Sequence, residues 1–453
     1  MASTMRYIFI LSFLFTTLSF TQPNEDMPRS RQMQFEPISF EAVPFWSEDT
    51  TVVEVAIFYR IHPEFFFFAK TTNAQHEIYE ANGELVFEVF DKKDIACTRE
   101  VRPLHIVRNS PPEEGIPFSE EVQGALIFKL KRGFYKIVLE AKDSESGKSF
   151  INRDMIIDAR SPSSGIIISP ALCIDPVFSD TLFHAQKYFF PINRGGSIII
   201  GQTGGFLFQV LSPDTITAIH LLWTVNNKLE GDEDNLQELQ GERYYQEYGT
   251  PAVIVNQKRP SISIQGNSKH SRMVYIPLPI EKLETGRYQL TLTATQGTLK
   301  SNMDFSFNII WPLKPHSLSD FKLSVDALRH IATEAELDSM TAFSSSASRK
   351  AFRAFWRRHN PDTTRAFNTA MAEYYRRVDE AIKRFSSANE TDGYRTDRGR
   401  IYILFGSPSF VNRLLKPNSA PSEIWTYEKL KRRFFFTDQR KTGNYILVKM
   451  ENY

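Results

Sequence analysis

One segment near the C-terminal end of this 453-residue chain carries side chains suited to acid–base chemistry. In Thr396-Asp397-Arg398-Gly399, the Asp397 carboxylate could act as a general base. Three arginines are close enough in sequence to hold it in place: Arg395, Arg398 and Arg400. Paired with a second carboxylate, such as Asp438 or Asp362, Asp397 could serve an envelope hydrolase or a glycan-processing enzyme.

The same segment also suits a purely structural role, which we prefer. Thr and Asp side chains accept hydrogen bonds from nearby backbone N–H groups, so Thr-Asp before Arg-Gly is good turn chemistry. An arginine that pairs with Asp397 would then fix the entry to the following strand. We therefore expect a protein that is not an enzyme.

Other catalytic and metal-binding patterns are weak or missing in the sequence. His359 could join Asp362 in an acid–base or metal pair, but the dipole at a helix C-terminus also favours a cationic His. The His-Glu-x-x-His, Gly-x-Ser-x-Gly and phosphate-loop patterns do not occur. The acidic run at 230–235 lacks the residue order of a calcium loop and is interpreted as an exposed loop. We expect no cofactor and no metal.

The chain ahead of these residues is predicted to consist of strands. Between residues 40 and 159, alternating or continuous apolar runs such as 52–59 indicate antiparallel strands. Asn82-Gly83 predicts a tight hairpin between arms at 76–80 and 85–90, because both residues tolerate positive φ. The 37 Phe residues also favour a β-rich body, since aromatic side chains suit pleated sheets.

An internal repeat relates two parts of this β-rich body. Leu130-x-x-Gly133-x-Tyr135-x-Ile137-x-Leu139-x-Ala141 matches Leu283-x-x-Gly286-x-Tyr288-x-Leu290-x-Leu292-x-Ala294 position for position. Each copy is a turn followed by an alternating strand and then by another strand, at 150–157 and 303–310. The Gly-x-Tyr lead-in resembles the tyrosine corner of immunoglobulin-like sandwiches. We therefore predict two all-β immunoglobulin-like sandwich modules, at 40–160 and 165–311.

After Pro315 the apolar spacing changes from the period of a strand to that of a helix. One helix is predicted to start with Asn360 as N-cap and Pro361 at its first position, and it carries an apolar stripe from Phe367 to Phe385. Strands are predicted at 400–405, 423–427, 433–436 and 444–448. The last module, 316–453, is therefore expected to be α+β, with helices followed by a small antiparallel sheet.

The N-terminus and the cysteines bear on the compartment. Arg6 followed by an apolar run shorter than a membrane span predicts a signal peptide over 1–21, an extended linker over 22–39, and no transmembrane helix after cleavage. The two cysteines, Cys97 and Cys173, either form one disulfide or remain two buried free thiols, and we prefer the thiols.

The charge is distributed unevenly along the chain. Residues 316–453 contain 24 Lys and Arg against 16 Asp and Glu, whereas the rest contains 30 against 37. A basic module can contact anionic lipid head groups, acidic glycans or an acidic partner, and export argues against nucleic acid. The alternative is a solvated helix surface that docks on the acidic part of the same chain.

A series of ordered motifs runs through about the last quarter of the chain. They are Phe355-Trp356, Asn360-Pro-Asp362, Glu373-Tyr-x-x-Arg377, Gly393-Tyr-Arg-Thr-Asp397-Arg-Gly399-Arg-Ile-Tyr-Ile-Leu-Phe-Gly406-x-Pro408, Ile424-Trp425-x-Tyr427, Phe434-x-Phe-x-Asp438 and Gly443-x-Tyr445. This region resembles the bacterial GWxTD domain family, with Tyr394 where the family name has Trp. The resemblance implies an exported bacterial protein with β modules ahead of the domain, and it implies no particular activity.

Together these features predict a non-catalytic binding or structural protein of the bacterial envelope, periplasmic or otherwise envelope-associated. Its expected partner is an envelope protein or glycan, with peripheral contact to anionic membrane surfaces as a further option. The predicted contact surface consists of exposed aromatic, arginine and neighbouring residues: Tyr394, Arg395, Thr396, Asp397, Arg398, Arg400, Trp425 and Tyr427. Trp425, in an alternating strand, could equally belong to the core.

Overall fold

The computed structural model describes residues 37–47, 49, 51–73, 76–110, 121–160, 165–177, 179–185, 188–227, 238–255, 259–341, 345–387, 392–417 and 419–453. The predicted signal peptide, most of the predicted linker and the acidic loop at 230–235 lie outside these residues. No helix within them is both long and apolar enough to cross a membrane.

The first β region consists of two sheets around one core. One sheet has the order β1-β2-β6, with β1 Ile38–Trp46, β2 Val52–Ile61 and β6 Val122–Lys131. The other has the order β3-β4-β7-β8, and β5 also pairs with β4; its strands are β3 Ala69–Asn73, β4 His76–Asp91, β5 Ala96–Arg108, β7 Phe134–Asp143 and β8 Ser149–Asp158. All pairings between these strands are antiparallel.

The hairpin predicted at Asn82-Gly83 is wrong. β4 runs without interruption through both residues, and Gly83 lies opposite Asp143 of β7. A Cβ atom at Gly83 would come within 2.6 Å of the carbonyl oxygen of Lys142. Glycine is therefore needed here for a close approach of the backbone, and pairing along both edges of β4 overrides the local turn preference.

The second β region contains two larger sheets, a two-stranded ribbon and a short helix, α1 Asp180–Ala185. Its strands are β9 Ile167–Ile168, β10 Leu172–Ile174, β11 Ser197–Ile199, β12 Gly204–Leu211, β13 His220–Asn227, β14 Glu238–Gly241, β15 Tyr245–Tyr248, β16 Thr250–Ile254, β17 Ser261–Gln265, β18 Ser271–Leu278, β19 Gly286–Gln296 and β20 Leu299–Ile310. The sheet orders are β10-β12-β18-β15, with β9 on β12, and β11-β20-β19-β13-β14; β16 pairs with β17. Both large sheets contribute to one core.

The internal repeat corresponds to equivalent strands, β7 and β19. The Tyr135 hydroxyl donates to the carbonyl oxygen of Lys131 at 2.7 Å, and the Tyr288 hydroxyl donates to that of Glu284 at 2.9 Å. Every second residue after each tyrosine is buried: Ile137, Leu139 and Ala141 in β7, and Leu290, Leu292 and Ala294 in β19. The predicted alternation of both strands is confirmed, and so is the β-rich character of this part of the chain.

A further core joins the two β regions. The outer face of the sheet β1-β2-β6 buries Phe45 and Phe58 against Phe183, Phe189 and Tyr275 of the second β region. Both faces of this sheet are therefore covered, which explains the continuous apolar run at 55–59, since a strand buried on both faces has no polar face.

Buried charges reinforce this junction. The Glu121 carboxylate, with 2% of its side chain exposed, accepts from Arg60 Nη1 at 2.6 Å and from Arg194 Nη1 and Nη2 at 3.0 and 2.7 Å. Glu41 accepts from the backbone N–H groups of Arg194 and Gly196 at 3.0 and 2.7 Å. Burial raises the pKa of Glu41 and lowers the pKa of Arg60. These contacts connect the two β regions through charged side chains that are buried from solvent.

The C-terminal region places five helices before a four-stranded antiparallel sheet. The helices are α2 Phe321–Ala327, α3 Glu334–Thr341, α4 Ser345–Arg358, α5 Thr369–Phe385 and α6 Asp397–Phe405. The sheet has the order β21-β22-β23-β24, with β21 Phe410–Leu414, β22 Ser422–Tyr427, β23 Arg432–Thr437 and β24 Ile446–Asn452. The predicted sequence of helices followed by a small sheet is confirmed.

The predicted start of the long amphipathic helix is wrong by several residues. α5 begins at Thr369, and its N-cap is Asn368, whose side chain accepts from the backbone N–H of Met371 at 2.9 Å. Asn360 instead opens a turn, in which Asp362 accepts from the backbone N–H of Thr364 at 3.0 Å. The two asparagines have the same capping chemistry, so residue type alone could not decide between them.

The cysteines are both free: Cys97 is exposed and Cys173 is buried. The disulfide alternative is therefore wrong, and the preferred expectation of two buried thiols holds only for Cys173.

Candidate functional site

The segment singled out for chemistry begins a helix, and the strand predicted at 400–405 is wrong. Thr396 is the N-cap of α6: its Oγ1 accepts from the backbone N–H of Gly399 at 3.0 Å and donates to the carbonyl oxygen of Gly393 at 2.8 Å. Three consecutive residues, Ile401, Tyr402 and Ile403, are buried. The apolar run therefore belongs to a helix enclosed by its neighbours, a case that alternation alone cannot distinguish from a strand.

Removing the Thr396 hydroxyl should weaken this helix start. Thr396→Val keeps the shape of the side chain but leaves the Gly399 N–H without its acceptor and the Gly393 carbonyl with only the longer bond from the Thr396 N–H, so we expect a loss of about 2 kcal/mol in unfolding free energy. Thr396→Ser should restore most of it. Urea unfolding of the full chain measures both variants, and equal stability of the Val and Ser variants would contradict a capping role.

Two glycines allow the backbone around α6 to pack closely. A Cβ atom at Gly393 would come within 2.6 Å of the backbone nitrogen of Ser386 and would overlap the carbonyl oxygen of Ala381 in α5. A Cβ atom at Gly399 would overlap the carbonyl oxygen of Gly393. Neither glycine has a positive φ. Lack of a side chain, and not backbone freedom, is what these positions need.

Tyr394 and Arg395, in the turn that precedes α6, connect this turn to α2. The Tyr394 ring is buried, and its hydroxyl donates to the Asp326 carboxylate. Arg395 donates to the same carboxylate from Nη2 at 2.7 Å. Burial, together with the hydrogen bond to Asp326, raises the pKa of Tyr394 to about 12. His330 Nε2 lies 2.9 Å from the carbonyl oxygen of Tyr394, so Asp326 of α2 and His330, just beyond the end of α2, both hold this turn.

Asp397 and Arg398 connect α6 to the last strand and the turn before it. Asp397 accepts from the backbone N–H of Leu447 in β24 at 2.8 Å and from Arg400 Nη2 at 3.2 Å. The Arg398 guanidinium lies over the Tyr445 ring, 4.1 Å from its centroid, and donates to the carbonyl oxygen of Gly443 at 2.9 Å. Burial lowers the pKa of Arg398. Both charged side chains therefore fix β24 and its preceding turn against α6.

These residues coincide with the region that is similar to known proteins. Residues 302–453 match the family model described as the GWxTD domain. The C-terminal region is a GWxTD domain. No curated protein matches the chain. Among solved structures, a family 123 glycoside hydrolase from Clostridium perfringens aligns over 42% of this chain and 35% of its own, with 11% identity and a TM-score of 0.19. That similarity is too low to indicate a shared fold or activity.

In this GWxTD domain each residue of the name-giving motif has a structural contact. Gly393 permits the close approach to α5, Thr396 caps α6, and Asp397 accepts from β24. Tyr394 stands where the family has Trp, and its hydroxyl supplies a hydrogen-bond donor, as an indole N–H would. The substitution therefore keeps both the buried aromatic ring and a donor at this position.

A second motif of the GWxTD domain holds the other end of α6. Glu373 accepts from Arg377 Nε at 2.7 Å, and Arg377 Nη1 donates to the carbonyl oxygen of Ile403 at 3.1 Å. Arg376 donates to the same carboxylate from Nε at 2.7 Å. Hydrogen bonds from Arg376, and then from Arg377, lower the pKa of Glu373 to about 2.

The lowered pKa of Glu373 predicts an acid-sensitive contribution to stability. A carboxyl group with a lowered folded-state pKa stabilises the fold above its ordinary pKa, near 4.5, and loses this effect as the pH falls towards 2. Because 43% of the side chain is exposed, we expect Glu373→Gln to cost only about 1 kcal/mol at pH 7 and almost nothing near pH 2. Urea unfolding at both pH values measures this, and an equal loss at both would contradict it.

The prediction of an exposed aromatic contact surface is wrong. Tyr394, Trp425 and Tyr427 are all buried, and so is Thr396. Trp425 Nε1 donates to Glu423 at 3.1 Å, and the Tyr427 hydroxyl donates to the carbonyl oxygen of Gly406 at 2.8 Å. The inward alternation of β22 carries both rings into the core shared with α5 and α6. For Arg395, Asp397, Arg398 and Arg400, a role in binding stays a prediction.

The hydrolase alternative pairs Asp397 with Asp438 or Asp362. Each of these three carboxylates has hydrogen-bond partners of its own. Asp438 is buried and accepts from the backbone N–H groups of Thr442 and Gly443 at 3.1 and 2.7 Å. Asp362 holds its own turn, and Asp397 is occupied by Leu447 and Arg400. None of the contacts between described residues joins two of these carboxylates. Among all the residues that the structure describes, no group of three or more His, Cys, Asp or Glu side chains could hold a metal ion.

Two features of this domain were not found from the sequence. Asp326 is separated from Tyr394 by 68 residues and carries no motif of its own, so no sequence signal relates the pair. β21 was also missed, although its apolar residues lie between Pro408 and Pro417, which punctuate a short strand. All five residues of this strand are exposed.

Proposed function

We propose that this chain is an exported bacterial envelope protein that binds an acidic partner protein without catalysis. It would combine two immunoglobulin-like sandwich modules with the GWxTD domain. The observation that carries the proposal is the charge of the terminal sheet: residues 410–453 contain nine Lys and Arg against four Asp and Glu. Two of those acidic residues, Glu423 and Asp438, are buried, so the accessible surface is more basic still.

Exposed apolar side chains around the same sheet support binding over simple solvation. Phe410 is 62% exposed and Leu415 is 71% exposed, and further apolar residues of the sheet and its loops are also exposed: Val411, Leu430, Ile446, Val448 and Met450. Exposed apolar residues interspersed with cations are typical of surfaces that a partner covers.

The structural contacts of the motif support a non-catalytic role. Gly393, Thr396 and Asp397 make contacts that hold α5, α6 and β24 together. A catalytic carboxylate would need free access to a substrate, whereas Asp397 accepts from a backbone N–H and from an arginine. Nothing in the described contacts favours the hydrolase alternative.

The proposal is tested by capture of partners from a bacterial envelope extract on the immobilised full chain. We expect a protein partner that is retained at low salt and released at high salt, and that is lost in the double variant Lys416→Glu, Lys429→Glu. The matched control is Lys92→Glu, Lys93→Glu, which reverses two exposed lysines of the first β region. Retention of a glycan alone, or equal retention by both double variants, would contradict the proposal.

A further inference from the structure

We propose that β21 is a strand-addition site, which takes an extended acidic and apolar segment of a partner protein as a fifth strand of the terminal sheet. This inference rests on the proposed binding function and names its site and the chemistry of its partner. The site is one edge of the terminal sheet, whereas the excess of basic residues belongs to the sheet as a whole.

β21 has an uncovered edge. It is the first strand in the order β21-β22-β23-β24, and no other strand among the described residues pairs with its free side. All five of its residues are exposed, which distinguishes it from the buried alternation of β22. Natural proteins normally protect such an edge, because its free N–H and C=O groups form a template for another strand.

The opposite edge strand, β24, is contacted at its start by α6, although most of its side chains are exposed. The carboxylate of Asp397, at the start of α6, accepts from the backbone N–H of Leu447 in β24 at 2.8 Å. Arg398 covers the preceding turn by donating to the carbonyl oxygen of Gly443. The GWxTD motif thus fixes the start of β24, whereas none of its hydrogen bonds between described residues reaches β21.

The free backbone groups distinguish a peptide from a lipid surface. An unpaired strand edge cannot enter hydrocarbon, because its N–H and C=O groups would lose their hydrogen bonds to water without replacement. An extended peptide satisfies the same groups through main-chain hydrogen bonds, and its alternate side chains contact those of the edge strand. A protein segment is therefore the occupant that fits β21.

The side chains of β21 define what such a segment must contain. In the pairing with β22, Phe410 and Leu414 share one face of the strand with Asn412, while Val411 and Arg413 share the other. The Arg413 side chain is 72% exposed, although its Nε already donates to Glu423 of β22 at 3.2 Å, and Lys416 follows the strand. Apolar residues in the added strand would pack beside Phe410, Val411 and Leu414, and carboxylates would pair with the two cations. A second copy of this basic sheet would repel the first.

The test uses the full chain and a pool of capped peptides of about seven residues, the length of a typical strand, in which Asp or Glu alternates with Val, Ile, Leu or Phe. Hydrogen exchange is followed at the amides of β21. We expect the free-edge amides to exchange roughly tenfold more slowly once the pool is at about ten times its dissociation constant. A pool with Lys in place of the acidic residues should have no effect, and an acidic pool with methylated backbone nitrogens should also fail.

Charge reversal provides the matched variant. Arg413→Glu with Lys416→Glu should lose protection by the acidic pool and gain it with the Lys pool; Lys416→Glu alone serves if the double variant does not fold. Three results would overturn the inference: no slowing with the acidic pool, equal slowing with the methylated pool, or protection of β21 by self-association or by phosphatidylglycerol vesicles in place of peptide.

The outcomes also separate this inference from the proposed function. If a partner is captured with the expected salt and lysine dependence but the acidic pool leaves β21 unprotected, the binding function stands and the strand-addition site is wrong. If the pool protects β21 but no partner is captured, the site stands and the proposed envelope partner is wrong.

Discussion

Replacing Glu121 with Gln is expected to lower the unfolding free energy of the β-rich part of the chain by about 3–5 kcal/mol. Glu121 is the carboxylate that Arg60 and Arg194 share at the junction of the two β regions. An amide carries no charge and adds donors where only acceptors fit, so two buried guanidinium groups would lose their counterion. A buried charge without a partner is far less stable than the same charge in water.

This prediction is measured by urea unfolding of the full chain, followed by tryptophan fluorescence. Trp46 is a useful probe, because its backbone N–H and carbonyl pair with the Gln209 side chain across the same junction. The matched control is Glu54→Gln, which removes the surface pair with Lys129 on the same sheet and should change stability by less than about 1 kcal/mol. If Glu121→Gln also lowers the unfolding free energy by less than about 1 kcal/mol, the buried ion-pair network does not hold the two β regions together.

Gly399→Ala is expected to destabilise the GWxTD domain by about 3 kcal/mol, at the upper end of overpacking effects. Helix propensity alone predicts the opposite, since Ala is more favourable than Gly inside a helix by about 1 kcal/mol. Close packing should prevail, because the new Cβ atom would overlap the carbonyl oxygen of Gly393, a backbone atom held by the cap from Thr396. The sign of the change therefore distinguishes the two effects.

The comparison for this variant is Gly286→Ala, where the nearest atom to a new Cβ would be 3.6 Å away, an ordinary contact. We expect that variant to change stability by less than about 1 kcal/mol. Both are measured by urea unfolding, followed by circular dichroism for the helices of the C-terminal region and by tryptophan fluorescence for the second β region, which contains Trp223. A more stable Gly399→Ala variant would show that the turn before α6 can move away at little cost.

The strands could be predicted where each has one buried face. β7 and β19 show strict alternation in the sequence, and both bury every second side chain. The predictions failed where long-range packing decides between two local options. β4 continues through Asn82-Gly83 because strands pair along both of its edges, and α6 is helical because neighbours enclose its apolar run.

The site was found only in part, for a related physical reason. The motif itself stands out in the sequence, but the partners of its side chains lie far away along the chain: Asp326 for Tyr394, and Leu447 for Asp397. An aromatic residue in a motif looks the same whether it anchors a partner or fills a core. Only the packing shows that Trp425 and Tyr427 fill a core, and that the exposed apolar side chains lie on the two edge strands, β21 and β24, and the nearby loops.

The most direct test of a structural motif in a binding protein is Asp397→Asn, with the unfolding free energy and partner capture measured on the same preparation. We predict a loss of about 1–2 kcal/mol, because the charged acceptor for Leu447 and Arg400 is removed, while the folded fraction captures the partner as well as wild type does. Unchanged stability with loss of capture, or with loss of a hydrolytic activity on envelope material, would show that Asp397 acts on a ligand and would contradict this assignment.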